Sequence, residues 1–145
     1  MEAVAAMAAD PTLDGTLVLV CAWLHDTAED TPVTVDQIER SFGPRVAEGV
    51  AALTKNPRLP KPEAMVDSLQ RLQAQPREVR CVKLADRIVN LQPPPASWKP
   101  SRCAGYADEA VLILDSLGDA SPALAQRLRS RIREYRPRPV DAASP

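Results

Sequence analysis

Val79-Arg80-Cys81-Val82-Lys83-Leu84-Ala85-Asp86-Arg87-Ile88-Val89-Asn90-Leu91 carries apolar residues around most of a helical circumference. That pattern predicts a central helix, covered by neighbours on several sides. Among its polar residues, Lys83, Asp86, Arg87 and Asn90 fall at i, i+3, i+4 and i+7 and so form one stripe. A solvated face accounts for such a stripe, but Asp and Asn are poor helix formers with little reason to sit mid-helix on a plain exposed surface. Asp86, with Asn90 one turn along, is therefore a candidate member of a polar cluster completed elsewhere in the chain.

The candidate partners lie in Cys21-Ala22-Trp23-Leu24-His25-Asp26-Thr27-Ala28-Glu29-Asp30-Thr31, where an apolar run ends in one imidazole and three carboxylates. Burying so many ionisable groups beside Val18, Leu19 and Leu24 is costly unless something pairs them. A helix cap with a satisfied histidine is one explanation; a divalent metal is the more economical one. The His25-Asp26 doublet supplies a nitrogen and an oxygen ligand suited to an Mn²⁺- or Fe²⁺-like ion. Glu29 and Asp30 are then placed to work on an activated water. On one continuous helix Glu29 sits at i+4 from His25 and i+3 from Asp26, on the same side. The expectation is that His25, Asp26 and Asp86 converge, with donor atoms about 3–4 Å apart.

By length, 145 residues make one domain. A net charge of −1 creates no global field toward nucleic acid or an anionic membrane, so neither is an expected partner. Aromatic residues are only 3%, and Ala, Leu, Val and Arg dominate, which favours an all-α fold over strands. Cys21, Cys81 and Cys103 are far apart, odd in number and never in a C-x-x-C pair. They are expected to be reduced structural thiols rather than a zinc site, which suits a cytoplasmic protein. The apolar run over 17–24 is far short of the roughly 20 residues needed to span a bilayer.

Residues 2–9 read as a helix stopping at Asp10-Pro11 and lacking a start of its own. A second helix is predicted over 13–29, because Pro32 disfavours helical geometry at Thr31. Thr34 with Gln37 reads as a capping box opening a short helix to Phe42. Gly43-Pro44 breaks that helix and starts the next, which runs to Leu53. Residues 54–62 hold Pro57, Pro60 and Pro62 among Lys55, Arg58 and Lys61, a basic loop. Further helices are predicted over 63–74, 76–91, 101–117 and 122–135, the last opened by Ser121 as N-cap and Pro122 at its first position. Residues 1–135 are thus expected to form one bundle of about seven to eight helices, and 136–145 a frayed tail.

The segments His25-Asp26-Thr27-Ala28-Glu29-Asp30-Thr31, Phe42-Gly43, Leu53-Thr54-Lys55, Leu59-Pro60-Lys61 and Val82-Lys83-Leu84-Ala85-Asp86-Arg87-x-x-Asn90-Leu91 occur in an order that resembles the HD-domain (p)ppGpp hydrolases. These are the hydrolase half of RelA/SpoT proteins of the stringent response and its small stand-alone relatives. Trp98, Arg102 and Tyr106 fall where the stand-alone members carry the same residue types. The resemblance implies an all-α fold holding one Mn²⁺ that removes the 3′-pyrophosphate from a guanosine bis(diphosphate). It also implies that His25, Asp26 and Asp86 are metal ligands and that Glu29 and Asp30 position and deprotonate the attacking water. Asn90, Lys55, Lys61, Arg102 and Tyr106 would contact the nucleotide.

Two departures from the family pattern stand out. The family's fourth protein ligand, an upstream histidine, falls just ahead of Met1, which implies a longer natural chain and little turnover by the 145-residue form. Gln92, where many relatives carry Arg, and the Pro93-Pro94-Pro95 run leave the substrate open. A phosphohydrolase of another nucleotide, such as NADPH, and a catalytically silent nucleotide-binding module remain as alternative readings.

Overall fold

A computed structural model describes residues 1–135; the tail expected over 136–145 lies outside the described residues. The elements are α1 (Glu2–Ala9), α2 (Gly15–Leu24), α3 (Thr27–Asp30), α4 (Val35–Phe42), α5 (Pro44–Leu53), α6 (Lys61–Gln73), α7 (Arg77–Asn90), α8 (Pro100–Leu117), a 3-10 turn (Gly118–Ala120) and α9 (Pro122–Tyr135). No strand occurs among the described residues, and the fold is all-α.

Most boundaries follow from local chemistry. Thr34 and Gln37 close the capping box on α4, the Thr34 hydroxyl accepting from Gln37 N and the Gln37 side chain accepting from Thr34 N. Gly43 ends α4 at φ 85°, in the left-handed region where a side chain is strained, and Pro44 then starts α5. The Ser121 hydroxyl accepts from Leu124 N to cap α9.

Two boundaries differ from the sequence expectation. Helix α6 opens at Lys61 rather than at 63, Pro62 suiting its first turn, so Lys61 leaves the expected loop for the helix start. The larger difference is in the second helix. The helix predicted over 13–29 breaks at His25-Asp26 into α2 and the single turn α3. The His25 ring bonds the Ala22 carbonyl at 2.7 Å, an acceptor that an unbroken helix would give to the Asp26 amide. The side chain thus competes with the backbone and ends the helix there.

Helix α7 is the axis of the molecule, packing against α1, α2, α5, α6, α8 and α9. Val79, Cys81, Leu84 and Ile88 are at most 1% exposed, and each large apolar side chain so buried contributes about 1.5–3 kcal/mol. Gly49 lets α5 approach closely: a Cβ there would sit 2.9 Å from a Val79 methyl and 3.1 Å from Cys21 Sγ. The start of α7 also ties down the α1–α2 link. Arg77 pairs with Asp10, and Glu78 accepts from Asp14 N at 2.9 Å. No helix of the described residues is long and apolar enough to cross a membrane.

Candidate functional site

The turn between α2 and α3 and the middle of α7 bring His25, Asp26 and Asp86 together. With Nδ1 donating to the Ala22 carbonyl, Nε2 of His25 is left facing two carboxylates, at 3.1 Å from Asp26 Oδ2 and 3.5 Å from Asp86 Oδ1. The hydrogen bond to Asp86 is the main reason that the His25 pKa is raised to about 9; burial opposes it, and Ala22 and Asp26 add to it. Two anions on one imidazole nitrogen call for a cation between them.

Asp86 is braced on both oxygens. Asn90 Nδ2 donates to Oδ1 at 2.7 Å, and Lys83 Nζ reaches Oδ2 at 3.4 Å. Burial pushes the Asp86 pKa up, but the His25 hydrogen bond and the Lys83 charge outweigh it and hold the carboxyl near 2. Lys83 is itself buried, which lowers its pKa despite the neighbouring Asp86. The sequence stripe of Lys83, Asp86, Arg87 and Asn90 is therefore no solvated face: Lys83 and Arg87 are buried, and only Asn90 of the four is exposed.

The imidazole nitrogen and two carboxylates are the donor types that Mn²⁺ accepts, and the backbone bond at Nδ1 fixes the tautomer that such a ligand needs. In this chemical sense the residues present fit a divalent ion. The set is not closed, however: among the described residues no group of three His, Cys, Asp or Glu is placed to hold a metal ion by itself. Met1, Glu2 and Ala3 line the same cavity of about 170 Å³ as His25 and Asp86, so the start of α1 lies beside the cluster. The cysteines take no part. All three are buried and free, and burial pushes Cys21 and Cys81 up to about 11, keeping them as thiols.

Glu29 and Asp30 both lie exposed on α3. The break at His25-Asp26 removes the continuous register on which a shared helical face was expected. The Glu29 side chain instead turns to the basic loop, where Oε1 accepts from Lys55 N at 3.1 Å. That bond ties the α3 carboxylate to the segment that carries the candidate phosphate ligands. Arg71 on α6 fixes the same segment, donating to the carbonyls of Ala51 and Thr54, the latter at 2.8 Å.

A second cavity, of about 620 Å³, gathers four of the five residues expected to contact substrate: Lys55, Lys61, Arg102 and Tyr106. Asn90 is the exception, turned to Asp86. The cavity wall is a stack. The Arg102 guanidinium lies 4.0 Å from the Trp98 ring centre, and the Trp98 and Tyr106 rings meet edge-on at 5.6 Å. Arg87 covers Tyr106 from behind at 4.3 Å. Burial raises the Tyr106 pKa, with Arg87 pulling the other way. The sequence reading missed Glu109, which also lines this cavity. Its signal was present, because Arg102, Tyr106 and Glu109 recur at i, i+4 and i+7 on α8.

A helical bundle with a His-Asp doublet at a helix end, facing an Asp of a central helix, defines a class, and comparison with known proteins agrees. A model of the HD domain matches residues 1–123, and the chain belongs to the HD-domain family. Among its relatives, the mouse guanosine-3′,5′-bis(diphosphate) 3′-pyrophosphohydrolase MESH1 is 31% identical over 122 residues, covering 81% of this chain and 68% of that protein. The Haemophilus influenzae guanosine-3′,5′-bis(diphosphate) 3′-pyrophosphohydrolase is 41% identical over 117 residues, covering 77% of this chain and 17% of that one. The chain thus spans about two thirds of the length of the small animal relatives and a much smaller part of the bacterial protein. The solved structure of a metazoan SpoT ortholog that hydrolyses ppGpp superposes with a TM-score of 0.77 at 26% identity, covering 92% of this chain and 77% of that one.

Proposed function

We propose that this chain is a metal-dependent guanosine-3′,5′-bis(diphosphate) 3′-pyrophosphohydrolase, taking Mn²⁺ as its ion and acting in the cytoplasm. One observation carries the reading: the His25–Asp26–Asp86 cluster is linked, by the Glu29–Lys55 bond and by Arg87 of α7 against Tyr106 and Glu109, to a cavity whose lining includes Lys55, Lys61, Trp98, Arg102 and Tyr106. Water attacks the phosphorus joined to the 3′ oxygen, the bond to that oxygen breaks, and GDP and pyrophosphate leave.

His25, Asp26 and Asp86 would hold the ion, which when bound would lower the pKa of water and polarise a phosphoryl oxygen. Glu29 accepts the proton of the attacking water, aimed by its bond to Lys55 N, with Asp30 beside it. Lys55, Lys61 and Arg102 neutralise charge on the phosphoryl oxygens, and Tyr106 borders the same space. Asn90 acts on Asp86 rather than on substrate.

The deciding experiment is pyrophosphate release from ppGpp by the purified chain, with and without Mn²⁺, beside NADPH as a competing substrate. Mn²⁺-dependent release from ppGpp supports the proposal, and preferential hydrolysis of NADPH moves the chain to the wider class of nucleotide phosphohydrolases. A second reading, a silent nucleotide-binding module, draws support from the unclosed ligand set. Nucleotide binding without metal-dependent turnover would establish it.

A further inference from the structure

Arg87 is a buried charged group that the function above leaves unused. Its side chain is 5% exposed, and Nη2 donates to Glu109 Oε2 at 3.2 Å while the guanidinium covers the Tyr106 ring. Its Nε and Nη1 are buried without a hydrogen-bond partner. A buried cation with two unmade bonds is a poor source of stability, since a well-packed apolar side chain of similar size does as well. Both groups that Arg87 does meet, Tyr106 and Glu109, line the 620 Å³ cavity. Glu109 is 44% exposed and places a carboxylate in a wall otherwise charged by Lys55, Lys61 and Arg102. For a polyphosphate that carboxylate is repulsive unless a cation behind it cancels its charge.

We propose that Arg87 is a positioning residue for polyanion binding, cancelling Glu109 and fixing Tyr106 so that the carboxylate does not offset the positive charge of Lys55, Lys61 and Arg102 in the same wall. Because Asp86 and Arg87 are consecutive on α7, one helical turn places the cluster and the cavity wall in fixed relation. The inference rests on the function proposed above only for its ligand class, a nucleoside polyphosphate.

The test measures calorimetric affinity for ppGpp and for inorganic pyrophosphate, together with KM and kcat for pyrophosphate release. Arg87→Met is expected to weaken both ligands and raise KM by about tenfold, the scale of one solvent-screened like-charge contact at a half-exposed carboxylate, with kcat nearly unchanged. Arg87→Met/Glu109→Gln should recover most of that loss, a rescue that a purely structural arginine would not give. Should Arg87→Met fail to fold, Glu109→Gln alone is decisive, because it should tighten both anions. Unchanged affinity in Arg87→Met, no rescue in the double variant, or weaker binding in Glu109→Gln each overturns the inference. A wild-type chain that binds neither anion overturns it as well. A chain that binds ppGpp without hydrolysing it removes the proposed activity and leaves this inference to be judged on the affinities.

Discussion

The two halves of the His25–Asp26–Asp86 cluster are built in opposite ways. On α7, Asp86 is 17% exposed, held on one oxygen by Asn90 and on the other by Lys83. On the α2–α3 turn, Asp26 is 60% exposed and meets His25 at 3.1 Å, on αR backbone between the two helices. In the proposed metal site the helix would supply a carboxylate already held on both oxygens, and the turn one with a single polar contact to His25. Pre-organised ligands lose less freedom on binding, so α7 should contribute more to affinity than the turn does.

The largest expected effect breaks that comparison or confirms it. Asp86→Asn should lower Mn²⁺ affinity by well over the 10–100-fold typical of an outer-shell change and abolish turnover, while helicity is retained. Asp26→Asn should cost distinctly less affinity, because the exposed turn can readjust. Titration of Mn²⁺ by calorimetry ranks the two, and equal losses would show that the turn is as fixed as the helix.

The contrast also explains what was legible in the sequence. Helix α7 was readable because a 3.6-residue period needs only local information: the apolar positions marked it as central and the stripe marked Asp86. Helices α4, α5 and α9 followed from Thr34, Gly43-Pro44 and Ser121-Pro122, whose capping chemistry is local too. The break at His25-Asp26 was not readable, because a side chain took the Ala22 carbonyl and no propensity records that competition. The turn of Glu29 toward Lys55 N depends on a residue 26 positions away, and the Arg87–Glu109 pair joins two helices. Such contacts are fixed by packing, beyond the reach of any sequence window.

A smaller effect is expected at Glu29. Glu29→Gln keeps an oxygen to accept from Lys55 N and loses only the proton acceptor. Its kcat should fall on the order of 10²-fold, the scale of a general base, with Mn²⁺ affinity held within a few fold. Steady-state kinetics beside metal titration separates these quantities; joint loss of metal and activity would make Glu29 a ligand and enlarge the turn's share of the cluster. Smaller again is Asn90→Ala, which removes the 2.7 Å brace on Asp86 Oδ1. Mn²⁺ affinity should drop by about tenfold, the lower end of the outer-shell range. An affinity equal to wild type would mean that Lys83 alone suffices to orient Asp86.

The least effect is expected where α7 steadies the other half from a distance. Asp10, in the link between α1 and α2, accepts from the Thr12 hydroxyl and from Arg77 at the start of α7, and these bonds hold its pKa near 2, with Thr12 the larger cause. A carboxyl depressed on folding contributes stability that is fully present above its unfolded value near 3.8. That contribution is lost as pH falls through about 2, when the folded group takes up its proton. The denaturation midpoint of wild type should therefore exceed that of Asp10→Asn at pH 6, and the gap should close between about pH 4 and pH 2. The pair is solvent-accessible, so the gap should also shrink in high salt. Urea melts of both proteins across this range give the difference directly, cancelling the titration of Asp86 and the other shared carboxylates. A gap independent of pH would mean that Asp10 acts through packing rather than charge, and that α7 does not steady the α1–α2 link electrostatically.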